Sequence, residues 1–122
     1  MEEMKLGTVE ARFASIIWDN EPLSSRRLVE LCEEQLDWKK STTYTVLKKL
    51  CERGIFRNES GAVSSLISRD EYFSIRSKQF VEDTFDGSLP AFIAAFTSGK
   101  KLSEKERAEI RAMIDSTGKE HT

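Results

Sequence analysis

Apolar residues recur at helical spacing through most of the chain, and the one interruption is short. Val9, Phe13, Ile16 and Ile17 lie at i, i+4, i+7 and i+8, with Leu6 and Trp18 alongside. A period near 3.6 residues places them on one face of a helix. Thr8 is placed to cap that helix, and Asp19-Asn20-Glu21-Pro22 ends it. Ser24 heads a second helix with Leu28, Leu31, Cys32 and Leu36 turned inward. After a connection at residues 37–40, Ser41 caps a third helix, Thr42 to about Arg53, with apolar Val46, Leu47, Leu50 and Cys51. Gly54 follows, where a helix end favours left-handed backbone.

The pattern then changes for about a dozen residues. Residues 55–59 and 62–67 are short extended runs on either side of Ser60-Gly61, which reads as a β-hairpin. Helical spacing returns at Ser68-Arg69-Asp70-Glu71, a capping box, with Ile67 and Tyr72 set as a hydrophobic staple. This fourth helix should run to Phe85, where Asp86-Gly87 breaks it. A fifth carries Leu89, Phe92, Ile93 and Phe96 and ends at Ser98-Gly99. A second capping box at Ser103–Glu106 opens a sixth, with Ile110, Met113 and Ile114 on one side. Residues 119–122 are expected to be disordered.

Three helices and then a hairpin is the winged-helix order, in which the third helix enters the DNA major groove. The expected fold is therefore mainly α with a small β-hairpin. A winged helix-turn-helix domain spans residues 1–67, and a C-terminal helical dimerisation arm spans residues 68–122. The arm has apolar stripes and little of its own to cover them. Its dimer contacts are expected at Tyr72, Phe80, Phe85, Leu89, Phe92, Ile93, Phe96, Ile110, Met113 and Ile114.

Composition narrows the class. A chain of 122 residues with 39% hydrophobic and 33% charged residues makes one soluble domain, or a small domain plus an oligomerisation arm. No apolar run approaches the roughly 18 residues of a membrane span. The start, Met1-Glu2-Glu3-Met4-Lys5, is unlike a signal peptide, so a cytoplasmic location is expected. Cys32 and Cys51 form no close pair, and the single histidine is His121. These counts argue against a metal site, a histidine-based triad and a disulfide framework. The cysteines read as small apolar residues on buried faces rather than as a redox switch. With no nucleophile–base pair or glycine-rich phosphate loop, an enzyme is disfavoured and no small-molecule cofactor is expected.

Net charge is −2, an unpromising total for a nucleic-acid binder, but its distribution is uneven. Residues 37–57 carry Lys39, Lys40, Lys48, Lys49, Arg53 and Arg57 against only Asp37 and Glu52. That basic segment coincides with the third helix, whose start is rich in hydroxyls. Ser41, Thr42, Thr43, Tyr44 and Thr45 suit base edges or backbone, and the cations suit phosphate or guanine. All eleven of these residues from Lys39 to Arg57 are candidate contacts to double-stranded DNA. A winged-helix protein-interaction module without DNA binding is the alternative, suggested by the acidic total and an acidic wing.

The run from Trp38 to Gly54 (WKKSTTYTVLKKLCERG) resembles the recognition segment of the penicillinase-repressor family, the BlaI/MecI-type regulators. Glu10 with Ile17-Trp18 is similar to the family's first helix, and Leu23-Ser24 to Leu31 to its second. The Gly87-Ser88 break, Phe92 to Phe96 and Leu102-Ser103 resemble its dimerisation arm, so the likeness covers about residues 6–115. The resemblance implies a homodimeric repressor on an inverted-repeat operator, often of TACA/TGTA type. In the family's antibiotic-resistance members, a membrane sensor-protease pathway leads to cleavage in the arm. The family's Asn-Phe cleavage position falls here on Ala95-Phe96, where the Phe is kept and the Asn is not. The Cys-rich ending of copper-responsive relatives is missing, and the wing tip, Glu59-Ser60-Gly61-Ala62, lacks the basic residue usual in the family.

Overall fold

The computed structural model describes residues 5–117, so the disorder expected at residues 119–122 lies outside the described residues. The chain forms α1 (Thr8–Asn20), β1 (Leu23–Ser24), α2 (Ser25–Leu36) and α3 (Lys40–Glu52). After these come β2 (Phe56–Glu59), β3 (Ala62–Ser65), α4 (Arg69–Phe85), α5 (Leu89–Thr97) and α6 (Glu104–Thr117). The mainly helical winged-helix architecture expected from the sequence is therefore present. No helix among the described residues is long and apolar enough to cross a membrane.

Two compact units divide inside α4, after Phe80, whereas the sequence placed the end of the head at residue 67. The reason is the start of α4, which packs as part of the head. Tyr72 is 7% exposed; its ring lies 5.5 Å from Trp18 and its hydroxyl accepts from the Leu6 amide. Trp18 Nε1 donates to the Ile67 carbonyl at 3.0 Å, and the Arg69 guanidinium bonds Asp19 at 2.7 Å. Tyr72 is thus filled in by its own chain and is withdrawn from the expected dimer face.

The head's core is continuous. Phe13, Ile17, Leu28, Leu47, Leu50, Ile55, Phe56 and Val63 are fully buried, each contributing roughly 1.5–3 kcal/mol of apolar burial. α1 departs from its expected stripe: Val9 is half exposed and Ala14 is buried instead. Gly7, not Thr8, holds the cap position of α1, and its amide donates to the Glu10 carboxylate. The hairpin turns through Ser60 and Gly61, both at positive φ (52° and 88°), as a tight two-residue turn between right-twisted strands requires. The two-residue β1 was not expected; it pairs with β3 to give the antiparallel order β1-β3-β2. Glu21, just before it, accepts from both the amide and the hydroxyl of Ser65, which fastens the base of the wing to the end of α1.

The second unit follows a different rule. Asp86 and Gly87, at φ 52° and 80°, end α4 as expected, and Ser88 caps α5 by accepting from the Ala91 amide. A side chain at Gly87 would meet a Glu82 carboxylate oxygen at 2.8 Å. Ser103 and Glu106 exchange the two bonds of a capping box at the head of α6. Yet no residue of α5 or α6 is buried.

Candidate nucleic-acid interface

α2, a three-residue turn and α3 form the helix-turn-helix. Ser24 caps α2 by accepting from the Arg27 amide at 3.0 Å, and Asp37 makes the turn in left-handed backbone at φ 57°. α3 begins at Lys40, with Lys39 in the cap position and no side chain capping it, so Ser41 lies inside the first turn rather than ahead of it. Lys40, Ser41 and Thr42 are exposed there, where free amides and the helix dipole favour an anion.

The predicted contact residues separate by the face they occupy. Ser41, Thr45 and Lys48 are exposed at i, i+4 and i+7, which makes one outward row. Glu52 continues that row and is also exposed, so the cationic part of the row ends at Lys48. Thr43 is wholly buried, and its hydroxyl donates to the Lys39 carbonyl at 3.4 Å. It belongs to the core face with Leu47 and Leu50 and cannot be a DNA contact. Tyr44 is half-buried and spends its hydroxyl on Ser25 Oγ, 3.1 Å away. Arg57 is exposed on β2 but pairs with Glu59 at 3.0 Å, leaving the wing with little free positive charge.

Lys49 and Arg53 both reach an acid on α1. Lys49 Nζ lies 2.8 Å from Glu10 Oε2, and Arg53 Nη1 lies 3.5 Å from Glu10 Oε1 without making a hydrogen bond. Lys49 first, and then the Gly7 amide, hold the Glu10 carboxyl below its ordinary range. Sequence reasoning noticed Glu10 only as part of a likeness and missed this contact, which spans 39 positions along the chain. It also missed Ser25, the partner of Tyr44. Burial pushes both the Cys32 and Cys51 thiols up, which leaves little reactive thiolate and agrees with their reading as apolar residues.

In the arm, Leu89, Ile93, Phe96, Ile110, Met113 and Ile114 are all exposed by more than a third. Phe92 is half-buried between Phe85 and Phe96, with ring centroids 5.7 and 6.0 Å away. Phe80, on α4, is 46% exposed. Ala95 and Phe96 are both exposed on α5.

A helix-turn-helix with a hydroxyl-and-lysine row on its second helix, followed by a two-stranded wing, defines a winged-helix domain of the DNA-binding class. Over residues 6–116 the sequence matches the penicillinase repressor family, and the chain belongs to that family. It is 25% identical to the methicillin resistance regulatory protein MecI of Staphylococcus aureus (strain Mu50 / ATCC 700699), covering 91% of this chain and 94% of the relative. It is 24% identical to MecI of Mammaliicoccus sciuri over the same shares. The penicillinase repressor of Bacillus licheniformis is 19% identical, covering 91% of this chain and 90% of that protein. By family the protein is thus a repressor.

Proposed function

We propose that the protein represses transcription by binding double-stranded DNA as a homodimer on an inverted-repeat operator. The observation that carries this reading is the exposed row Ser41, Thr45 and Lys48 on α3, beside the open helix start at Lys40 and Thr42. Hydroxyls on the row read base edges, while Lys39, Lys40 and Lys48 take phosphate or guanine. Tyr44 acts one step back, by fixing α3 against Ser25. The uncovered apolar residues of α5 and α6 support pairing with a second copy, which brings two half-sites under one molecule.

The same reading places induction in the arm. Hydrolysis of the Ala95–Phe96 bond, at the end of a membrane sensor-protease pathway, divides α5 and separates α6 from the head. Each head then loses the effective concentration that its partner supplied.

Titration of labelled inverted-repeat duplex at several salt concentrations tests the reading. Affinity should fall steeply with salt, and Lys48→Ala should flatten the slope by about 0.9, the value for one phosphate contact. Thr45→Ala should change base preference by about 1–3 kcal/mol at the position it reads. Salt-independent or absent binding would sink the proposal in favour of a protein-interaction module.

A further inference from the structure

Glu10 lies on α1, outside the helix-turn-helix, yet its carboxylate meets both cations on one flank of α3. Lys49 and Arg53 are four residues apart and stack on that flank, next to the outward row. The Glu10 side chain is 20% exposed, so solvent and salt screen it less than an open surface acid. It is also fixed from a third side by the Gly7 amide, at 3.0 Å from Oε1. Lys49 itself is 57% exposed, so the carboxylate and not burial restrains its ammonium.

The flank of a helix lying in a major groove runs beside a phosphate backbone. Two cations there would each add a contact that is blind to sequence, with the salt dependence that accompanies it. A carboxylate already in place neutralises them, and a phosphate oxygen must displace it to be bound. We propose that Glu10 acts as an internal stand-in for phosphate: it holds Lys49 and Arg53 away from the DNA backbone and so limits the protein's sequence-blind affinity. This inference rests on the DNA-binding reading above. It changes what the basic segment of α3 does, because only Lys39, Lys40 and Lys48 then serve the nucleic acid, and the other two serve the fold.

Glu10→Gln in the full chain tests the proposal, since the amide oxygen still accepts from Gly7 and preserves the start of α1. The probe is a mixed-sequence duplex without an inverted repeat, titrated at several salt concentrations. The slope of log affinity against log salt should steepen by about 0.9 if one cation is freed and about 1.8 if both are. A fourfold change in salt then alters affinity about 3.5-fold more for each freed cation. In the otherwise native chain, Lys49→Ala should leave the slope unchanged; combined with Glu10→Gln it should bring the slope back toward the native value. An unchanged or shallower slope for folded Glu10→Gln overturns the proposal. So does a flattened slope for Lys49→Ala alone, which would mean that Lys49 already leaves Glu10 for phosphate. The Lys49→Ala result decides by itself if the far-UV spectrum shows Glu10→Gln to be misfolded. If the native chain shows no salt-dependent binding to any duplex, the DNA-binding reading fails, and this inference falls with it.

Discussion

The head and the arm are built from helices of similar length, yet they satisfy their apolar residues in opposite ways. In α1 to α3 the large side chains meet one another, so Phe13, Leu28, Leu47 and Leu50 are sealed within one chain. In α5 and α6 the same kinds of residue stay in solvent: Met113 is 63% exposed and Ile114 is 67% exposed. Helical apolar spacing recurs in both. The difference lies in whether a second apolar surface is available inside the chain: three helices and a sheet provide it for the head, and α5 and α6 alone do not for the arm. Amphipathic spacing therefore reports that a face must be covered, and says nothing of which chain covers it.

That contrast can be broken most severely at Phe13, which is fully buried and stacked on Trp38 at 5.5 Å. Phe13→Ala should cost the head about 3–5 kcal/mol in urea denaturation, while leaving the arm's helices intact. Ile93→Asp should do the reverse. The proposed dimer should weaken by about 1.5–3 kcal/mol for the lost apolar burial in sedimentation, with the head's own unfolding unmoved. A dimer of native strength in that variant would show that α5 is not a central contact. Trp18→Phe sharpens the boundary between the two regions, because it removes the indole donor to Ile67 where α4 joins the head. The expected loss is about 0.5–1.5 kcal/mol, read as head stability, with no change in association.

The smallest effect is acid-dependent. Glu10 and Glu71 in the head, and Glu106 in the arm, titrate below the ordinary carboxylate value of 4.5. Glu10 is held there first by Lys49, and the other two by the backbone amides of Ser68 and Ser103. A carboxylate depressed in the folded state contributes fully above its unfolded value, and that contribution is lost as pH falls through the folded one. Head stability should therefore decline as pH drops below 4.5, and Glu10→Gln should flatten the decline. Identical acid limbs for the two proteins would remove Glu10 from the account.

Local signals made most of the fold legible. The breaks at Asp86-Gly87 and Ser98-Gly99 and both capping boxes lie where the sequence placed them, because caps and turns are decided by neighbouring residues. β1 escaped because two residues carry no alternation to detect. The burial of Thr43 was available in principle: it stands at i, i+4 and i+7 with Leu47 and Leu50, and its hydroxyl outweighed its position in the reading. For Tyr72 the sequence offers two roles, staple and dimer contact, and the staple already implies burial in the head. Of the candidate interface, the exposed row on α3 could be read from spacing. The Glu10 contact could not, since no local pattern connects an acid on one helix with cations on another far along the chain.

Tyr44 and Ser25 join hydroxyls 3.1 Å apart, and the Ser25 amide donates to the Gly61 carbonyl at 2.8 Å. Through one serine, α3, the start of α2 and the tip of the wing are thus tied together. A surface assembled in this way is ordered when the chain folds rather than when it meets a duplex. In the proposed DNA-binding reading, such pre-ordering leaves less freedom to be surrendered on docking, so more of each contact remains as affinity. On that same proposed reading, such a surface is unforgiving: a duplex whose groove is too wide or too narrow must itself bend to fit, and the energy of that bending becomes a means of rejecting it.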